Sequence, residues 1–158
     1  MTTAVSNPSF RSTLGETVPI EIFRVLRLNG IEPLFGSGSN AITIQCGRDL
    51  GRSLGASILS KCNSYEAYIN NVVGYFKDNC IGLVSLFQEG SEFFVQVDEC
   101  VSCSGLQSIG KCICGFEGGI VAGLFQAYFK KLFFVKETKC WANGDKTCLF
   151  FVKDMKEI

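Results

Sequence analysis

The spacing of apolar positions changes once along this chain, near residue 80. Before it, apolar residues recur with a helical period. Ile20, Phe23, Leu26 and Leu28 follow Pro19, which suits a first helical turn, and Gly30 ends or interrupts that helix. The run Gly36-Ser37-Gly38-Ser39-Asn40 reads as a loop, and Asn40 is placed to cap a second helix over 41–59 with Ile44, Leu50, Leu54 and Ile58 inward. Ser64 caps a third helix over 65–78, whose apolar positions are Tyr65, Ile69, Val72, Val73 and Phe76.

After residue 80 the period shortens to two. Residues 81–88 read as a strand and Glu89-Gly90-Ser91 as a turn; Phe93, Val95 and Val97 alternate with Phe94, Gln96 and Asp98 and face inward. A cysteine-rich loop covers 100–112. A long helix over about 113–130 carries Phe116, Ile120, Leu124 and Tyr128 on one stripe. Gly115, Gly119 and Gly123 recur along it every four residues, which implies close approach of another backbone or of a ligand. Strands over 132–138 and 147–153 enclose the turn Ala142-Asn143-Gly144-Asp145. The fold class expected is α+β: N-terminal helices, then an antiparallel sheet of hairpins with one long helix inserted.

Composition narrows what this fold can do. The chain has 158 residues, 47% hydrophobic and 19% charged, which suits a folded domain. We expect a flexible tail over 1–16 and a single domain over 17–158. Fifteen basic and fifteen acidic residues cancel, so no field is available to hold nucleic acid. The stretch 112–134 carries Glu117, Gln126, Lys130 and Lys131, which argues against a membrane span. No secretory signal is visible, and a cytoplasmic protein is expected. There, nine cysteines are thiols or metal ligands rather than disulfides. Histidine is absent, which excludes Ser-His-Asp and Cys-His catalysis and every imidazole-ligated metal. We assign no catalytic residue.

Cys140 and Cys148 flank the Asn143-Gly144-Asp145 turn and face one another if the loop has three residues. Such a pair can share a metal or form a disulfide. Cys114 opens the long helix, where the backbone dipole favours a thiolate. Glu137 precedes Cys140 by three residues, so a regular strand would set them on opposite faces. Cys100-x2-Cys103 with Cys112-x-Cys114 is a second spacing that suits zinc or an iron–sulfur cluster. Cys46, Cys62 and Cys80 stand alone and read as small buried hydrophobes.

The C-terminal part resembles the vinyl-4-reductase (hydrocarbon-binding) domain family. The residues that carry the resemblance are Glu99-Cys100-x2-Cys103, Cys112-x-Cys114-Gly115-Phe116-Glu117-Gly118-Gly119-x3-Gly123, and Glu137-Thr138-x-Cys140-x3-Gly144-Asp145-x2-Cys148-x-Phe150. Phe23-Arg24-x-Leu26 and Gly47-Arg48-x3-Gly51 extend it into the helical half. The resemblance implies a fold like the subunits of TRAPP vesicle-tethering complexes and nitric-oxide sensor domains. It also implies a structural zinc on Cys114, Glu137, Cys140 and Cys148, as in phenol-sensing members. Those sensors hold the phenol hydroxyl with a histidine, which this chain lacks.

By strand parity Val135 and Phe133 share the face of Glu137, and Gly118 leaves space above it. A ligand pocket lined by Phe93, Val95, Gly118, Phe133 and Val135 is therefore expected between helix and sheet. Trp141 reads as a packing residue shielding the metal. The function expected is non-catalytic binding of a small hydrophobic or aromatic molecule, as sensor or carrier, in a homodimer. The alternatives are a reductase or reductase accessory acting on a vinyl-bearing tetrapyrrole, and an assembly subunit. For the reductase, Glu117 and Asp98-Glu99 are the nearby acids; such residues are usually caps or solvated faces.

Overall fold

The change of period near residue 80 is the change from helix to sheet. The computed structural model describes residue 13, residues 17–36 and residues 38–157; apart from Thr13, the expected tail over 1–16 lies outside the described residues. The helices are α1 (Ile20–Val25), α2 (Glu32–Phe35), α3 (Gly38–Leu59), α4 (Tyr65–Asp78) and α5 (Gly115–Phe129). The strands are β1 (Leu83–Glu89), β2 (Glu92–Asp98), β3 (Phe133–Lys139) and β4 (Cys148–Asp154), in one antiparallel sheet of order β1-β2-β4-β3. This is the expected α+β architecture, with α5 inserted between the two hairpins.

The first helix departs from expectation. Gly30 does not end it: α1 runs into a π-helical stretch, Leu26–Ile31, and then into α2. With i to i+5 bonding, four to five residues complete one turn. Arg27 and Leu28 therefore return to the face of Phe23, and Leu26 does not. Leu26 is 63% exposed, whereas Arg27 is buried. Asn40 is not a cap either, because α3 already begins at Gly38. In α4 the expected bounds hold, and the Ser64 hydroxyl accepts the Ala67 N–H at 3.1 Å.

The buried face of α3 is glycine. Its fully buried residues are Gly47, Gly51 and Gly55, while Ile44, Leu50, Leu54 and Ile58 are half-buried. A Cβ on Gly51 would meet the Ile120 carbonyl, and one on Gly119 the Ile44 carbonyl, both well inside 3.0 Å. The four-residue glycine repeat of α5 thus meets a matching repeat on α3, backbone on backbone. On its other faces α5 divides two apolar clusters. Tyr68, Val72, Phe76, Ile120 and Leu124 pack between α4 and α5. Val95, Val97, Val121, Phe125, Phe133, Phe150 and Val152 pack between α5 and the sheet, with five cysteines at one end. No helix among the described residues is long and apolar enough to cross a membrane.

Candidate metal centre

Three chain segments deliver thiols to one point at the start of α5. The first is the loop after β2, where Ser104 N–H donates to the Cys100 carbonyl at 2.9 Å and Cys103 N–H to the same oxygen at 3.2 Å. That tight turn sets both sulfurs on one side. Cys114 is the second, the residue before α5, at the positive end of a 15-residue helix. The third is the β3–β4 hairpin.

In that hairpin the three-residue offset between Glu137 and Cys140 is resolved by a β-bulge. Glu137 pairs with Phe150 and Lys139 with Leu149, so Thr138 is an extra residue with no partner of its own. One added residue shifts the alternation and returns Cys140 to the face of Glu137. Cys148 opens β4, whose alternate residues Cys148, Phe150, Val152 and Asp154 are buried. The connection is longer than the three residues entertained above: a 3-10 turn, Trp141–Asn143, leads into Gly144 at φ 99°, a backbone conformation that favours glycine.

Two sets of four donors result, each with all ligand atoms within 4.8 Å of one another: Cys114, Glu137, Cys140 and Cys148, and Cys100, Cys103, Cys114 and Cys148. The sulfur separations are 3.7 Å for Cys114–Cys140, 3.6 Å for Cys114–Cys148, 3.5 Å for Cys100–Cys114 and 3.2 Å for Cys103–Cys148. A tetrahedral zinc with bonds of about 2.3 Å sets its sulfurs about 3.8 Å apart, close to the first three of these distances. All five thiols are buried and none is in a disulfide. The all-thiol set differs from the spacing read in the sequence: Cys112 is exposed and stands outside both sets, and Cys148 takes its place.

The electrostatics favour a cation. Glu137 Oε2 accepts the Cys114 N–H at 2.9 Å, but Oε1 is buried with no partner. Burial, and next the Cys140 thiol, push this carboxyl up to about 9. Cys112 is raised to about 11, by burial and then by Glu137 and Cys140. Hydrogen bonds from Cys103, Cys114 and Cys148 lower Cys100 to about 2, while Cys114 is raised by its hydrogen bonds with Cys100 and the other thiols. So many acidic groups cannot all ionise in a dry site without a positive charge among them. The orphaned carboxylate oxygen and the soft donors fit zinc.

Neighbouring groups lock the site. Trp141, 37% exposed, donates its indole N–H to the Leu106 carbonyl at 2.9 Å, tying the hairpin turn to the cysteine loop. Asp145 accepts the Cys140 N–H at 2.9 Å. Arg24 of α1 donates to the carbonyls of Val101 and Ser104 at 2.9 and 2.8 Å. Glu117 is not a solvated acid: it is fully buried, accepts the Ser102 hydroxyl, leaves Oε2 without a partner and is raised by burial. The sequence signal was available, since α5 is apolar on every side and a charge within it has no wet face. Cys46 and Cys80, expected inside, are exposed, and Cys62 is half-buried.

The five expected pocket residues do not line one cavity. Val95 lines a closed apolar cavity of about 30 Å³ between α4, α5 and the sheet, together with Tyr65, Tyr68, Phe76, Phe125 and Tyr128. Gly118 and Val135 line an open cleft of about 450 Å³ beside the metal site, with Arg48, Cys112 and Glu137. Phe93 and Phe133 line neither of these; they stack edge-on against Phe125, with ring centroids 5.1 and 5.2 Å away.

Comparison with known proteins agrees with this architecture. Residues 93–154 match the family model of the vinyl-4-reductase domain, which bears out the resemblance read from the sequence. Two uncharacterised proteins of Methanocaldococcus jannaschii are each 29% identical to the chain. One aligns over 140 residues, 89% of this chain and 80% of the relative. The other aligns over 150 residues, 94% and 83%. A vinyl-4-reductase family protein from the same organism has a similar structure, with TM-score 0.65, 20% identity and coverage of 90% of this chain and 85% of that one. The phenol-responsive sensory domain of the transcription activator PoxR, solved with phenol, superposes with TM-score 0.72 at 11% identity, covering 89% and 77%. A trafficking protein particle complex subunit 3 from Naegleria fowleri, covalently bound to palmitic acid, gives TM-score 0.63 at 13% identity, covering 88% and 96%.

Proposed function

We propose that this chain, whose residues 93–154 match the vinyl-4-reductase domain, is a non-catalytic binding domain for a small hydrophobic or aromatic molecule, acting as sensor or carrier, with a structural zinc on Cys114, Glu137, Cys140 and Cys148. The observation that carries the binding role is the cavity between α4, α5 and the sheet. Its wall includes aromatic rings from α4 and α5 and no charged residue. At about 30 Å³ it holds no ring as it stands; apolar cavities that take up benzene are nearer about 150 Å³. Admission therefore requires Phe125, Tyr128 and Phe129 to change rotamer or α4 to lift. Val95 forms the wall, with Phe93 and Phe133 as the layer behind it. Gly118 and Val135 belong to the cleft on the metal side. The fold is shared with a domain solved with phenol and with a subunit bound to palmitic acid, which supports an apolar ligand.

Four protein donors leave the zinc no open position, so its role is to clip the start of α5 to the hairpin. Buried free thiols suit a reducing, cytoplasmic setting. Ile22, Val25, Leu26, Leu34 and Phe35 are all more than half exposed, and a second copy of the chain is the partner we propose for them. Light scattering on the wild type and on Leu26→Glu checks the dimer. Native mass spectrometry with phenol, indole and a medium-chain fatty acid tests the ligand class. Retention of none of them, by the wild type or by Phe125→Ala, sinks the binding reading.

A further inference from the structure

Six donors converge at the start of α5, and one tetrahedral ion uses only four. The two sets share Cys114 and Cys148 and no other residue; Cys100 and Cys103 complete one, Glu137 and Cys140 the other. The shared sulfurs are 3.6 Å apart. Two tetrahedra that share an edge have this topology, with the two common sulfurs bridging two ions.

The geometry points to a second zinc, on Cys100, Cys103, Cys114 and Cys148, bridged to the first through the Cys114 and Cys148 thiolates. It rests on the reading that Cys114, Glu137, Cys140 and Cys148 hold the first ion. Charge is consistent, since two divalent ions neutralise most of the charge of five thiolates and one carboxylate. The backbone is consistent too. Glu99, the residue before Cys100, has φ 51°, left-handed for a residue that is not glycine. That conformation turns the chain so that Cys100 and Cys103 enter the cluster, only 2% and 0% exposed. Cys100 and Cys103 lie 3.5 and 3.2 Å from the two shared sulfurs. The loop that supplies them is gripped by Arg24 from α1 and, through Ser102, by Glu117 from α5. The second ion would thus bind the cysteine loop to the centre, as the first binds the hairpin.

The test is metal stoichiometry on the full chain, by native mass spectrometry and elemental analysis, for wild type, the double variant Cys100→Ser/Cys103→Ser, and Cys140→Ser. We expect two zinc ions per wild-type chain and one in the double variant. One ion in the wild type that persists in the double variant overturns the second site and leaves the first intact. One ion that is lost in the double variant but kept in Cys140→Ser overturns both the bridged pair and the Glu137 site. Iron with acid-labile sulfide overturns both as well. Because serine variants can fail to fold, cadmium-113 NMR of the exchanged wild type gives a second readout. Two resonances coupled to one another, the more shielded from the site with a carboxylate, are expected. A single resonance overturns the proposal.

Discussion

Helix α5 meets its two helical neighbours in opposite ways. Against α3 it presents Gly115, Gly119 and Gly123 and receives Gly47 and Gly51, so two backbones touch with no side chain between them. Against α4 it presents Leu124 and Tyr128 and receives Tyr65, Tyr68 and Val72, with a small apolar gap left between. The first interface has no rotamers to change and cannot yield by degrees. The second is made of rings that can turn and is stitched by one buried hydrogen bond, Tyr68 Oη to the Leu124 carbonyl at 2.9 Å. If the domain admits a ligand, it opens on the α4 side and is held shape-true by the α3 side.

The largest effect belongs to the glycine interface. Gly119→Val forces a branched side chain into the Ile44 carbonyl and Arg48 N–H. Overpacking ordinarily costs about 1–3 kcal/mol, and backbone has less freedom to retreat than side chains, so we expect loss of soluble folded protein or a melting point lower by at least about 10 °C. A cooperative melt within a few degrees of wild type would show that the helices can separate.

Next comes the clip at the end of α5. Cys148→Ser removes a donor common to both ligand sets and should abolish metal binding, with a loss of several kcal/mol that chelation of the wild type reproduces. A chelator without effect on the melting curve would detach stability from the metal.

The α4 side should respond more mildly. Val72→Ile adds one methylene at the cavity wall, costs under about 1.5 kcal/mol, and should weaken uptake of a small aromatic at least about tenfold. Unchanged binding would place the ligand elsewhere, with the cleft of Gly118 and Val135 next in line. Smallest is Gly74→Ala in the interior of α4, where an added Cβ meets nothing within 4 Å. It should stabilise the chain by up to about 1 kcal/mol, measured by denaturant titration, in contrast to every glycine on the α3 side.

The contrast also separates what the sequence shows from what it hides. The strands, the bounds of α4 and the inward Val95 and Val97 follow from period and capping, because each is dictated by neighbours along the chain. The buried glycine face of α3 does not, since a hydrophobic pattern assigns the interior to Ile44 and Leu50 and overlooks residues with no side chain to count. Arg27 replaces Leu26 inside because a π turn shifts the helical phase, which no local apolar count registers. In the metal centre, Cys114, Glu137, Cys140 and Cys148 were assigned from the resemblance. That Cys100 and Cys103 approach the same sulfurs depends on a loop folding back across α5, a tertiary event. The pocket failed for a similar reason: parity along β2 and β3 chose residues on the correct face, but side chains of α5 decide which of them line a void.

The bulge at Thr138 has an evolutionary reading. Remove that one residue and Glu137 and Cys140 fall on opposite faces, with the carboxylate and the thiol no longer able to see a common ion. Insertion or loss of a single codon in this strand is thus enough to create or dismantle a four-donor site while leaving the sheet, the hairpin and the hydrophobic pattern as they were. Within this architecture, a metal-clipped chain and a metal-free one can be separated by the smallest in-frame change a gene can undergo.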